Sequence, residues 1–231
     1  MANAAYIQGK IYYGYGKAAK HLGLDSDFYR SATPFNPIVV GNKIGTIKVS
    51  LNQTWDYMKA NRYGNAVWQM LGDARQPPDS IGFNVWDYFQ FTDLEGKLLT
   101  FFVIGKQLIL PILAVECNRV VKIERATQDV GPGFNNEYAG YTTTPSVPRK
   151  SITLAENLPI SILNQGIGRK NDLNLPTDTM LPRFIILMPN LGGVIYKNRD
   201  IIIDDNNYRY VIVSSELTDF GWRCNAEFIG T

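Results

Sequence analysis

The stretch "VWDYFQFTDLEGKLLTFFVIGK", residues 85–106, decides the fold. Two aromatic and aliphatic runs flank Asp-Leu-Glu-Gly, a short polar segment that reads as a hairpin turn. Tyr, Phe, Val and Ile dominate both runs, and these residues fit a pleated surface. The next stretch, "LILPILAVECNRVVKIER" (108–125), continues in the same manner, with Pro111 as a break. Residues 81–126 are therefore a run of strands rather than helices.

Working outward, the pattern repeats after residue 150. "SITLAENLPISILN", "RFIILMP", "DIIIDD", "YRYVIVSSE" and "WRCNAEFIG" read as strands. Short strands at this spacing indicate a small barrel or sandwich. Upstream, "GTIKVSLN" alternates apolar and polar residues and reads as a strand. "KAAKHL" before Gly23 reads as two turns of helix following the short aromatic segment "AYIQGKIYYGYG". "DSDFYRSATPFNPI" reads as turn and extended chain, and Val67, Trp68 and Leu71 suggest a short helix or turn. Residues 127–149 break the composition with glycine, proline and threonine, and read as a linker or projecting loop. The expectation is a mainly β protein with two small β-barrel or sandwich modules and a short N-terminal helical segment. Their bounds would be 1–126 and 150–231, with 127–149 between them.

The two β-rich stretches echo one another. Asp87 and Asp200 each precede a β-prone run, a polar turn follows, and Cys117-Asn118 and Cys224-Asn225 each lie in a closing strand. A duplicated barrel module is one reading; the general likeness of any two antiparallel meanders is the other.

Chemistry is sparse. "GYGKA" offers Gly14, Gly16 and Lys17, but Ala18 stands where a phosphate loop needs a hydroxyl, and the loop is too short. His21 is the one histidine in the chain, so any histidine-dependent mechanism must use it. It lies at a helix end, where a cation is favoured. Cys117 and Cys224 lie in apolar runs, which points to burial and inertness, and two cysteines make no disulfide framework or zinc site. Asp25/Asp27 and Asp204/Asp205 read as turn carboxylates. With 23 basic and 21 acidic residues, the net charge of +2 does not point to a nucleic-acid-binding protein. Tyrosines near Lys10 and Lys17 would be the place for base stacking if there were one. No cofactor, metal or catalytic group is expected. The N-terminus lacks a signal-peptide pattern and the longest apolar run is too short for a membrane span, so the expectation is a soluble protein made in a cytoplasm.

Several stretches together resemble structural proteins of tailed bacteriophages. They are "YYGYGKAAKHLG…DFYR", "YGNAVWQMLGDA…VWDYFQF…LTFFVIGKQLILPILAVECNRVVKIER" and "GGVIYKNRDIIIDDNNYRYVIVSSELTDFGWRCNAEFIG". The last is similar to head–tail joining or stopper domains. This chain departs from the pattern at Trp86, where glycine would precede Asp87-Tyr88. The resemblance implies a virion component of the neck or tail, assembled in the host cytoplasm as a ring of identical subunits and meeting portal, adaptor or tail proteins. Passing DNA would touch the ring lumen. Phe134, Tyr138 and Tyr141 in the 127–149 stretch, with Tyr12 and Tyr15, are the candidate subunit-interface residues, since aromatic anchors dominate interfaces. A tail-tube or baseplate protein is the alternative within that class. A carbohydrate-binding or hydrolase β-sandwich is the alternative outside it, and would call for a cleft with paired carboxylates beside an exposed tryptophan.

Overall fold

A computed structural model describes residues 4–52, 66–71, 82–105, 112–126, 151–167 and 182–230. The α-helix α1 (Ala4–Leu22) is followed by β1 (Leu24–Tyr29), a 3-10 turn at Val40–Asn42, β2 (Lys43–Asn52), β3 (Ala66–Leu71), β4 (Tyr88–Thr92), β5 (Leu98–Gly105) and β6 (Ile112–Cys117). Then come β7 (Arg119–Ala126), β8 (Ser151–Ile167), β9 (Pro182–Met188), β10 (Ile201–Asp204), β11 (Arg209–Thr218) and β12 (Gly221–Gly230). The strands close into two barrels, ordered β1-β2-β3-β6-β5-β4 and β7-β8-β9-β12-β11-β10. The orders are the same, each strand of the second barrel standing six places after its counterpart. Closure removes exposed sheet edges.

The expected fold class is what forms: mainly β, in barrel modules. The module boundary differs from the expectation. β7 pairs with β8 and β10, so Arg119–Ala126 belongs to the second barrel. The chain crosses between barrels at Asn118, not at 127–149, which lies outside the described residues along with its expected linker role.

The first barrel is filled by Phe28, Val49, Phe83, Phe89, Phe91, Phe101, Val103 and Ala114. Its rings stack in layers: Phe89 and Phe101 have centroids 5.3 Å apart at 6°, and Phe28 and Phe89 lie 5.0 Å apart. Each such pair contributes about 0.5–1.5 kcal/mol beyond area burial. The alternate residues of the same strands, Tyr88, Phe102, Ile104, Leu113 and Val115, are also buried, and join the core of the second barrel. This explains why "LLTFFVIG" is apolar without alternation: one face fills a barrel and the other packs on its neighbour.

Polar bonds stitch the same seam. The buried Tyr88 hydroxyl donates to the Pro159 carbonyl at 2.9 Å. Asn118 donates from its amide nitrogen to Ile162 O and accepts from Ile162 N, both at 2.8 Å, while its backbone N–H reaches Ile160 O at 3.0 Å. The loop after β1 runs beside β8, where Asn36 N donates to Glu156 O at 2.8 Å and Glu156 N to Pro34 O at 3.3 Å.

Three local expectations are corrected. The segment from Ala4 is one helix of 19 residues rather than a short aromatic segment followed by two helical turns. Among its described side chains the buried ones, Gly16 and Ala19, are small, and α1 lies against β2 and β3. The helix stops at Gly23, whose N–H donates to Ala19 O at 2.8 Å. A Cβ there would run into Ala19 O and lie 2.9 Å from the Val49 backbone, so only glycine permits this approach. "LDSDFY" is a strand, β1, so Asp25 and Asp27 are strand residues and not turn carboxylates. In β1, Asp27 accepts from Thr46 and pairs with Lys43 at 2.7 Å. Val67, Trp68 and Leu71 are in β3, paired with β2 and β6, and not in a helix.

Candidate functional site

The most developed polar construction occurs twice. In the first barrel, Arg30 follows β1 and Asp87 precedes β4. Arg30 Nε donates to Asp87 Oδ1 at 3.0 Å and Nη2 to Oδ2 at 2.7 Å, a bidentate pair. Nη2 also reaches Gly82 O at 2.8 Å, and Asn84 N donates to Asp87 Oδ2 at 2.5 Å. In the second barrel, Arg125 Nε and Nη2 donate to the two oxygens of Asp200 at 2.7 Å each. Nη2 reaches Ile195 O at 2.7 Å, and Lys197 N donates to Asp200 Oδ2 at 2.7 Å.

The backbone repeats as well. Trp86 and Arg199, each preceding the aspartate, are left-handed with φ of 77° and 72°. Their N–H groups donate to Val103 O and Ile212 O, and the same residues donate back to Asp87 O and Asp200 O. The next turn is also shared. Asp93 Oδ1 accepts from Glu95 N and Lys97 N, and Asp204 Oδ1 from Asn206 N and Tyr208 N. The two halves are thus one structural unit built twice.

The echo read in the sequence is sound at the aspartates and not at the cysteines. Val103 faces Ala114 and Ile212 faces Ala226. Cys117 lies three residues after its alanine, whereas Cys224 lies two before. The arginines went unread because they stand 57 and 75 residues from their partners. The available signal was "FYR" and "IER" closing the first strand of each half.

Trp86 stands in a left-handed turn. Glycine takes positive φ at no steric cost. Here tryptophan takes it, and its ring packs over Gly221, whose added Cβ would lie 2.9 Å from the ring.

These clamps bind the fold together, and both of their carboxylates are engaged by arginine. Asp87 and Asp200 are buried under their guanidinium partners, and the aspartates raise the arginines further above their ordinary range. Burial pushes the Cys117 thiol well up and the Cys224 thiol up to about 12; Cys224 is buried as expected, whereas Cys117 is only half-buried. Asp204, expected as a turn carboxylate, is buried and caps its turn, and it accepts from the Tyr210 hydroxyl at 3.2 Å. His21 is exposed in the last turn of α1 beside Lys20.

A cleft of about 230 Å³ opens where Ile104 and Val115 of the first barrel meet Glu216, Asp219, Trp222 and Arg223 of the second. It has two carboxylates, but Trp222 is only 7% exposed. Glu216 faces Arg223 across β11 and β12.

Large apolar side chains face solvent at one end of the first barrel. β1 and β4 run antiparallel, as do β4 and β5, so the start of β1, the β4–β5 turn and the start of β5 share that end. Leu22, which ends α1 two residues before β1, Leu94 in the β4–β5 turn and Leu98 at the start of β5 are 77%, 93% and 59% exposed. Of the expected interface residues, Tyr12 and Tyr15 have their backbones in α1 and their side chains outside the described set. Phe134, Tyr138 and Tyr141 lie outside the described residues altogether.

No protein family, no curated protein and no solved structure matches this chain.

Proposed function

We propose that the chain is a structural assembly subunit that packs against copies of itself in a ring, as a connector, adaptor or stopper at the head–tail junction of a tailed-phage virion. The observation that carries this reading is the leucine-bearing end of the first barrel. Leu22, Leu94 and Leu98 stand in solvent on a body whose strands are otherwise closed. Strongly exposed leucines at one end of a closed body suit a protein–protein contact there. The fused barrels supply the stiffness a ring subunit needs, and the sequence resemblance supplies the virion and the station within it. Its work is burial of surface between subunits, without bond chemistry; contacts of this head-to-tail sort close on rotation.

The test is mass in solution with rising concentration, followed by negative-stain imaging. Closed rings that dissociate in Leu94→Lys/Leu98→Lys are expected, and their symmetry would separate a neck station from a tail tube or baseplate. A wild-type chain that stays monomeric to about 100 µM, the weak end of specific association, speaks against it. Oligosaccharide binding lost in Glu216→Gln would instead favour a carbohydrate-binding or hydrolytic module using the cleft.

A further inference from the structure

The helix α1 has an outer face of one kind. Tyr6, Lys10, Tyr13, Lys17 and Lys20 recur at intervals of four, three, four and three, which places them along one stripe of a helix. All five are exposed. The stripe spans about 21 Å at 1.5 Å per residue. Lys10 Nζ lies 5.6 Å from the centre of the Tyr6 ring and Lys17 Nζ lies 5.6 Å from that of Tyr13. Each ammonium group therefore lies over one face of a ring that is itself exposed, and the stripe carries positive charge along its length.

Charge is also segregated. Three of the chain's 23 basic residues and none of its 21 acidic residues lie on α1, which leaves 20 against 21 elsewhere. The whole positive excess of the protein is thus on this helix. An overall charge near zero hides such a face.

We infer that the outer face of α1 is a docking surface for the phosphate backbone of duplex DNA, through Lys10, Lys17 and Lys20. The inference extends the ring reading by naming the element that meets DNA, but its chemistry does not need the ring. Duplex is favoured over single strands because single-strand binding rests on aromatic side chains that stack successive bases, and here each tyrosine of the stripe already has an ammonium group over one face. A membrane surface is disfavoured because an interfacial helix inserts a broad apolar face, whereas the residues alternating with lysine here are tyrosines.

The test is fluorescence anisotropy with a labelled duplex of about 30 base pairs of mixed sequence, titrated across salt. Three phosphate contacts per subunit give a log–log salt slope of about −2.7, or binding about 40-fold weaker at 200 than at 50 mM salt. Lys10→Gln/Lys17→Gln/Lys20→Gln should bring the slope near zero, with helix content checked by circular dichroism. The corresponding triple arginine variant should keep both binding and slope. Equal slopes for the wild type and the glutamine variant would overturn the inference. So would the absence of binding at low salt, or equal affinity for single-stranded DNA, polyglutamate or anionic phosphatidylserine vesicles. Ring formation is read by mass and DNA docking by anisotropy, so either proposal can fail alone.

Discussion

Removing the carboxylate of the second clamp tests whether it holds the barrel shut. Asp200→Ala deletes two charge-assisted bonds from Arg125 and one from Lys197 N, all at 2.7 Å. Breaking a buried pair by removing one partner costs about 3–5 kcal/mol, because the other charge stays behind. The Arg125 side chain is 28% exposed and keeps its bond to Ile195 O, so water takes up part of the loss. The lower end, about 3 kcal/mol, is expected. With m near 2–3 kcal/mol/M, the urea midpoint should fall by about 1 M. Asp87→Ala should cost about 2 kcal/mol, since Arg30 is 40% exposed and better screened. The assay is urea unfolding followed by tryptophan fluorescence, in a cycle with Arg125→Ala. If the clamp acts as a unit, the double variant should be no worse than the worse single one, with a coupling of about 2 kcal/mol. A single loss under about 1 kcal/mol, or additivity within about 0.5 kcal/mol, would refute the reasoning.

The two left-handed turn residues should respond in opposite directions to glycine. Arg199→Gly removes the cost of positive φ at an exposed site and should stabilise by about 0.5–1 kcal/mol. Trp86→Gly gains the same relief but loses the ring over Gly221, for a net loss of about 1 kcal/mol by thermal melting. Gly23→Val should lower the melting temperature sharply, because the Cβ collides with backbone at both α1 and β2; an unchanged melt would refute that contact. Cys224 rises from 9.0 to about 12 through burial, then Asp200, and Cys117 and Tyr88 rise through burial. The native state keeps these protons where the unfolded chain has lost them, so their stabilisation is full below pH 9 and declines as pH climbs from 9 towards 12. Thiol titration with Ellman's reagent near pH 8 should leave the buried Cys224 unreacted until denaturant is added, and rapid reaction of two thiols in the folded protein would contradict it.

The strands after residue 150 were legible because each is a short β-prone run bounded by turn residues, although their order, with β9 beside β12 and β10 beside β7, was not. β5 was legible as a strand but not as a shared wall, since nothing local tells a doubly covered strand from a buried core segment. α1 was misread because Gly9, Gly14 and Gly16 each lower helix propensity by about 1 kcal/mol, while packing against β2 and β3 overrides that cost. β1 was missed because Asp25, Ser26 and Asp27 look like turn residues. Asp27 is held in the strand by Lys43 and Thr46, which come later in the chain. Of the polar constructions, the sequence showed both aspartates and neither arginine. Local pattern marks the turn an acid caps, but not the distant cation that closes over it. The basic stripe on α1 was invisible for a related reason: without a continuous helix, Lys10 and Lys20 share no face.

Asn118 gives the protein a mechanical character. One residue separates the last strand of the first barrel from the first strand of the second, and its side chain and backbone both bond to β8. There is no slack at that point for a hinge. A pull on α1 is therefore transmitted to the far barrel as through a strut, and a protease acting near Asn118 would find no loose tether to cut.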